Sequence, residues 1–292
     1  MILLEEVGFG PFYFETAVLL REAIFVNGIL FNIEVSYGLT QEDINRLEML
    51  DNLLMKKIMS AHSKSPTETL FLSLGCIPLK WIIVSRRINF LHYVLKRKEG
   101  DLLRSFFEVQ WKYPVKNDWV NTVKQDLLTL NINPDLEEIR NKSKYSFSKI
   151  VKEKVKDAAF SELLGKKEGH SKTKNLKYEK LEMQSYFKNK NVFKKDAKVI
   201  YKFQTYMATG VKMNFKSQFT EDLKCPECKS DNVISDTSTI PDDTQEHLLQ
   251  HSEIAKTQSV EEFYMKLFVG TDPEKLEVAK LLQKCIDSRT KS

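Results

Sequence analysis

Apolar residues recurring at steps of three and four, each run opened by a capping signal, constrain this chain more than any other feature. Thr40-Gln41-Glu42-Asp43 has the form of a capping box, with Asp in place of the usual Glu or Gln, and Ile44, Leu47, Leu50, Leu54 and Ile58 follow it. The pattern predicts an amphipathic helix to about Ala61, which needs partners to bury its stripe. Ser65-Pro66-Thr67-Glu68 opens a short helix that Gly75 ends. Pro78 opens another, in which Trp81, Val84, Ile88, Leu91 and Leu95 keep the rhythm while Arg86, Arg87, Lys96, Arg97 and Lys98 lie off the seam. Further helices are expected at about 101–111, 118–130, 134–141 and 145–164, joined by short connections. Residues 260–268 read as a short apolar helix, and Thr271-Asp272-Pro273 caps a last one with Leu276, Ala279, Leu282 and Ile286 as its stripe.

With only ten glycines and eight prolines in 292 residues, helices are favoured over strands and turns. The expected fold is all-α, a multi-helix bundle with a small zinc-stabilised C-terminal motif. The most apolar stretch, Ala17 to Ile33, contains Arg21, Glu22, Asn27 and Asn32, too polar for a membrane span. No basic segment precedes an apolar run at the N-terminus, so an intracellular protein, cytoplasmic or nuclear, is expected. Cys76 and Cys285 read as buried core thiols.

The other two cysteines belong to Cys225-Pro226-Glu227-Cys228, followed after eighteen residues by His247-Leu248-Leu249-Gln250-His251. C-x2-C can present two thiolates from one tight turn, and two histidines four apart fall on one face of a helix, here opened by Asp243 and Glu246. Zn2+ accepts such a set tetrahedrally with no open position, so Cys225, Cys228, His247 and His251 are expected to hold one structural zinc. The competing reading is four unrelated residues in a polar loop, and the eighteen-residue gap is longer than in ordinary fingers.

Charge is unevenly distributed. Residues 1–215 carry 35 Lys and Arg against 25 Asp and Glu, whereas residues 216–292 carry 10 against 15. The basic part is the one suited to a polyanion. Its densest portion, Lys166 to Lys202, holds twelve lysines against four acids, interleaved with Tyr178, Tyr186, Phe187, Phe193 and Tyr201. Ammonium groups displace counterions from phosphates and rings stack on bases, so RNA or DNA is the expected partner; a solvated helix face or hinge is the plainer alternative. Gly165, Gly169 and Ser171 suggest a boundary, dividing the chain into 1–165, 166–215 and 216–292. No Gly-rich phosphate loop, nucleophile elbow or His-Glu-x-x-His motif occurs, and His62, His92 and His170 have no nucleophile motif beside them, so they read as surface or satisfied core residues. Asp242-Asp243, the only adjacent aspartates, read as a helix cap and not as a polymerase metal site.

The ordered segments FYFETAVLLREAIFVNGILFNIEVSYGLTQEDINRLEMLDNLLMKKIM, LFLSLGCIPLKWIIVSRRINFLHYVLKR, FFEVQWKYPVKNDWVNTVKQDL, SKYSFSKIVKEKVKDAAF, HSKTKNLKYEKLEMQSYF, CPECKSDN and DDTQEHLLQH resemble the region downstream of the polymerase palm in non-LTR, LINE-type (RTE-like) retrotransposon reverse transcriptases. The resemblance implies a thumb that grips the template-primer duplex, followed by a Cys/His motif onto which Cys225, Cys228 and His247 fall; His251 stands where relatives commonly have cysteine. The family's endonuclease and catalytic palm have no counterpart in this sequence, so no polymerase activity is expected of this chain alone, and a palm supplied in trans is a partner the resemblance admits. Arg86, Arg87, Lys172, Lys174, Lys177 and Lys180 are the candidate phosphate contacts, chosen for their clustering. The alternative from another class is an inactive helical interaction protein, or a pseudogene product, with an exposed apolar surface.

Overall fold

A computed structural model describes residues 13–36, 39–61, 63, 65–115, 118–170, 173, 176–189, 194–204, 271–277 and 279–280. The chain enters through α1 (Tyr13–Leu20), which continues through a π-helical segment (Arg21–Val26) into a last turn (Asn27–Ile29), then a 3-10 turn (Ile33–Val35). There follow α2 (Gln41–Met59), α3 (Thr67–Leu74), α4 (Leu79–Leu95), α5 (Leu102–Lys112), α6 (Trp119–Thr129), α7 (Leu136–Asn141), α8 (Lys144–Glu168), α9 (Ser185–Lys188) and α10 (Lys194–Gln204). Residues 272–277 are again helical. Among the described residues there is no strand, only an antiparallel bridge between Leu74 and Met183. The all-α expectation holds for them.

Helix limits follow from side chains that satisfy otherwise orphaned backbone groups. The Thr40 hydroxyl accepts from the Asp43 N–H at 3.2 Å and the Asp43 carboxylate accepts from the Thr40 N–H at 3.0 Å, so the box closes with Asp in the role of Glu. Asp101, Asp118, Asp135 and Ser143 cap α5, α6, α7 and α8 in the same way. Residues 272–277 start on Thr271, whose N–H and hydroxyl each lie 2.7 Å from Glu274 Oε2. Gly75 stops α3 at φ 66°, and a Cβ there would stand 2.3 Å from the Met183 nitrogen. Glycine is thus required twice, for its left-handed backbone and for the crossing of residues 182–184, where Gln184 N–H donates to Ser73 O at 2.9 Å.

The main core gathers Met55, Ile58 and Met59 of α2, nearly all of α3, Trp81, Ile88, Leu91 and Leu95 of α4, and the Phe147–Val151–Val155–Ala159–Leu163 row of α8. A second cluster packs Val26, Leu30 and Ile33 against Leu79 and Ile83. From α1 through the π-helical segment to Leu30, the buried positions are Phe14, Ala17, Arg21, Val26 and Leu30. The five-residue step from Arg21 to Val26 coincides with the π turn, whose extra residue restores the seam to the core side.

Two arginines are drawn into this interior. Arg21 Nε donates to Asp51 Oδ1 at 2.7 Å and its Nη2 to Asp51 Oδ2 and to Ile77 O, the two side chains being 0% and 1% exposed. Burial alone would lower the Arg21 pKa; the hydrogen bond and charge of Asp51 outweigh it and hold the guanidinium above its ordinary value. Arg87 pairs likewise with Asp126 at 2.7 and 3.0 Å, and here burial raises the Asp126 pKa against the pull of the guanidinium. Arg87 was expected off the α4 seam. It is buried because α4 is enclosed by α2, α6, α7 and α8, leaving little of its circumference to solvent.

A similar correction applies to α2. Leu50, assigned to the stripe from its spacing, is 46% exposed, while Asp51 turns inward to meet Arg21. Ile44, Leu47, Asp51, Met55 and Ile58 share the inward arc, and at about 100° per residue Leu50 falls outside it. Among the described residues no single helix is long and apolar enough to cross a membrane. The bent pair α3 and α4 is together long and apolar enough, and most of its apolar side chains are buried in the protein core.

Candidate nucleic-acid interface

The sequence-derived candidates separate into three groups. Cys225, Cys228, His247 and His251 lie outside the described residues, as do Lys172 and Lys174. Arg86 and Arg87 have internal partners: Arg86 donates to Leu30 O at 2.6 Å and to Asn27 Oδ1 at 2.5 Å, closing the end of the α1 rod, and Arg87 is held by Asp126. Both guanidinium groups thus bond within the fold. Lys177 and Lys180 are exposed, and Lys180 Nζ stands 3.1 Å from Glu182.

Four of the aromatic residues among the lysines face inward, and Phe193 lies outside the described residues. Tyr186, Phe187 and Tyr201 are buried in the main core, and Tyr178 packs partly buried against it. Phe187 meets Phe14 at 4.7 Å between ring centroids and Tyr186 at 4.4 Å. The Tyr201 hydroxyl lies 3.1 Å from Thr69 Oγ1, and the Tyr178 hydroxyl 2.9 Å from Ser73 Oγ. Burial pushes the Tyr178 pKa up to about 12 against the opposing hydrogen bond from Ser73. These rings anchor the lysine-rich stretch to α3, and the base-stacking platform expected from them is not formed by these four.

The exposed lysine surface lies elsewhere, on α8. Opposite the Phe147–Val151–Val155 row stand Tyr145, Lys149, Lys152 and Lys156, at successive steps of four, three and four residues. Tyr145 is 81% exposed, and Lys149 and Lys152 also face solvent. Lys156 Nζ lies 3.4 Å from Glu182 Oε1, the carboxylate that Lys180 also meets. Those two lysines, with the Lys180 hydrogen bond foremost, hold the Glu182 pKa below its ordinary value. Glu182 thereby joins the α8 row to the connector lysines. Spacing alone could have located this row, since Tyr145, Lys149, Lys152 and Lys156 alternate with the core positions of one helix.

His92, His170 and Glu162 have structural partners. His92 Nε2 is 3.0 Å from Lys142 O and its ring stacks on Phe147, a satisfied core histidine; His170 lies 2.7 Å from the Glu68 carboxylate. Cys76 is buried, and burial raises its thiol to about 12. Glu162 binds Lys80 at 2.5 Å, Lys166 at 2.7 Å and Trp81 Nε1 at 2.8 Å, pinning α8 to α4. Among the described residues no group of three or more His, Cys, Asp and Glu side chains is placed to hold a metal ion. On α5, Leu102, Phe106 and Val109 form an apolar row that faces solvent, continued by Tyr113 at the C-cap. No protein-family profile, curated protein or solved structure matches the chain.

Proposed function

We propose that this chain is a nucleic-acid-binding module of the non-LTR reverse-transcriptase kind: a thumb-like helical region, a lysine-rich connector and a Cys/His zinc motif, gripping RNA or DNA in cytoplasm or nucleus without polymerising alone. The observation that carries the reading is the surplus of ten positive charges in residues 1–215, with Lys149, Lys152, Lys177 and Lys180 projecting to solvent. Affinity for RNA or DNA is expected to fall steeply with salt, by about 0.7 to 0.9 logarithmic units per phosphate contact for each tenfold rise in salt. Salt-independent binding, or none at low salt, overturns the reading.

The donor set Cys225, Cys228, His247 and His251 fits tetrahedral Zn2+, a histidine replacing thiolate as fourth ligand. Protein purified without chelator is expected to carry about one zinc per chain, lost in the Cys225→Ser/Cys228→Ser variant. Stoichiometric zinc retained by that variant removes the assignment.

A second reading, a helical interaction protein, is favoured by the exposed α5 row. Its occupant is a polymerase palm supplied in trans, the neighbour that the sequence resemblance implies. Phe106→Ser is expected to weaken association with a non-LTR polymerase palm while leaving nucleic-acid affinity unchanged. Undiminished association rejects the α5 row as the docking face.

A further inference from the structure

We propose that the outward row of α8, Tyr145, Lys149, Lys152 and Lys156, continued by Lys180 across Glu182, is the track for one nucleic-acid strand, with the Tyr145 ring stacking on an unpaired base. This rests on the nucleic-acid reading above and names the surface and the form of the ligand. Three observations carry it. The lysines project from a rigid helix whose opposite row is locked in the core, so their positions are fixed by Phe147, Val151 and Val155. Among the described residues Lys149 and Lys152 have no carboxylate partner, whereas Arg86, Arg87, Arg97 and Arg104 each have an internal one or a neighbouring acceptor. Glu153, four residues beyond Lys149, flanks the row about 40° round the helix and makes no ion pair with Lys149, and Asp157 lies farther round.

Spacing suits a single strand. The helix rises about 1.5 Å per residue, so successive lysines stand about 4.5 and 6 Å apart along it. Each step spans one to two phosphates at about 3.4 Å per nucleotide of one strand, and about one where the strand is extended. Tyr145 decides between single strand and duplex. Its ring is 81% exposed at the N-terminal end of the row, and a ring so placed can stack on a base only where the base has left its own stack.

Fluorescence anisotropy of the full chain with an oligo(rU) strand and with a blunt RNA duplex, across a salt series, tests the proposal. Tyr145→Ala is expected to weaken single-strand binding about tenfold, with the salt slope unchanged and duplex binding unaffected. Lys149→Gln/Lys152→Gln is expected to lower the single-strand slope by about 1.4, or 0.7 for each lost contact, while Lys96→Gln/Lys98→Gln leaves it as in the parent. If the parent binds but the Lys149/Lys152 variant keeps the full slope, or Tyr145→Ala binds as the parent does, the track is wrong and the broader reading stands. If the parent binds neither probe at low salt, both fall. Circular dichroism of each variant separates loss of contact from loss of fold.

Discussion

Two stretches of this protein mix lysine with aromatic rings, and they face opposite ways. Between Tyr178 and Tyr201 the described rings point inward, Tyr186, Phe187 and Tyr201 entering the main core while Lys180 and Lys188 stay exposed. On α8 the ring points outward, Tyr145 standing beside Lys149 and Lys152 while Phe147 and Val151 enter the core. Both stretches combine lysines with rings, and helical phase and neighbours decide the outcome. An aromatic residue near lysines is an anchor when its row meets another helix and a contact surface when it does not.

Core truncation gives this comparison its largest test. Tyr186→Ala removes a fully buried ring that packs on Phe187, and is expected to cost about 3–5 kcal/mol in urea unfolding. A loss below about 1 kcal/mol would mean that the inward-facing stretch is not part of the core. Gly75→Ala comes next. It forces a side chain into the left-handed region and onto the backbone of Met183, with an expected loss of about 3 kcal/mol. A neutral Gly75→Ala would detach residues 182–184, and with them the Lys180–Glu182–Lys156 link, from α3.

Much of the fold is legible in the sequence because helix caps are local. Thr40, Asp43, Gly75, Pro78, Asp118 and Thr271 mark ends that the structure keeps, since each acts on backbone groups within four residues of itself. The expected end of the 145–164 helix is overrun: α8 passes Gly165, where open space surrounds the backbone, and stops at Glu168. What spacing does not give is which of two adjacent residues is buried. Leu50 and Asp51 differ by one step, and only the distant partner Arg21, thirty residues away, makes the aspartate the buried one. Arg87 is a second case, its burial set by Asp126 on α6. The candidate surface is legible in its charge and not in its placement: clustering points to the connector lysines, whereas the α8 row stands out only once Phe147, Val151 and Val155 are seen to enter the core.

Alkaline titration sharpens the comparison further. Tyr178 is neutral when folded, with its pKa raised from 10.0 to about 12, so the folded state keeps a proton that the unfolded chain releases above pH 10. Its contribution is therefore complete below pH 10 and is lost as pH rises to 12, about 2 to 3 kcal/mol over the interval. Cys76, raised from 9.0 to about 12, has the same sign over pH 9 to 12. Tyr178→Phe is expected to lower stability at pH 8 by about 1 kcal/mol, for the hydrogen bond to Ser73, and to flatten the fall between pH 10 and 12. A parallel alkaline limb in that variant would place the Tyr178 hydroxyl in water.

The smallest expected effect concerns the outward row itself. Lys149→Gln/Lys152→Gln and Tyr145→Ala alter side chains that face solvent, and substitutions of that kind change stability by no more than about 0.5 kcal/mol. Set beside the Tyr186→Ala loss, near-zero values in both α8 variants are what an outward-facing row requires. A loss above about 2 kcal/mol in Tyr145→Ala would mean that this ring packs on other parts of the chain. It would then be an anchor like Tyr186, and the contrast between the two stretches would vanish.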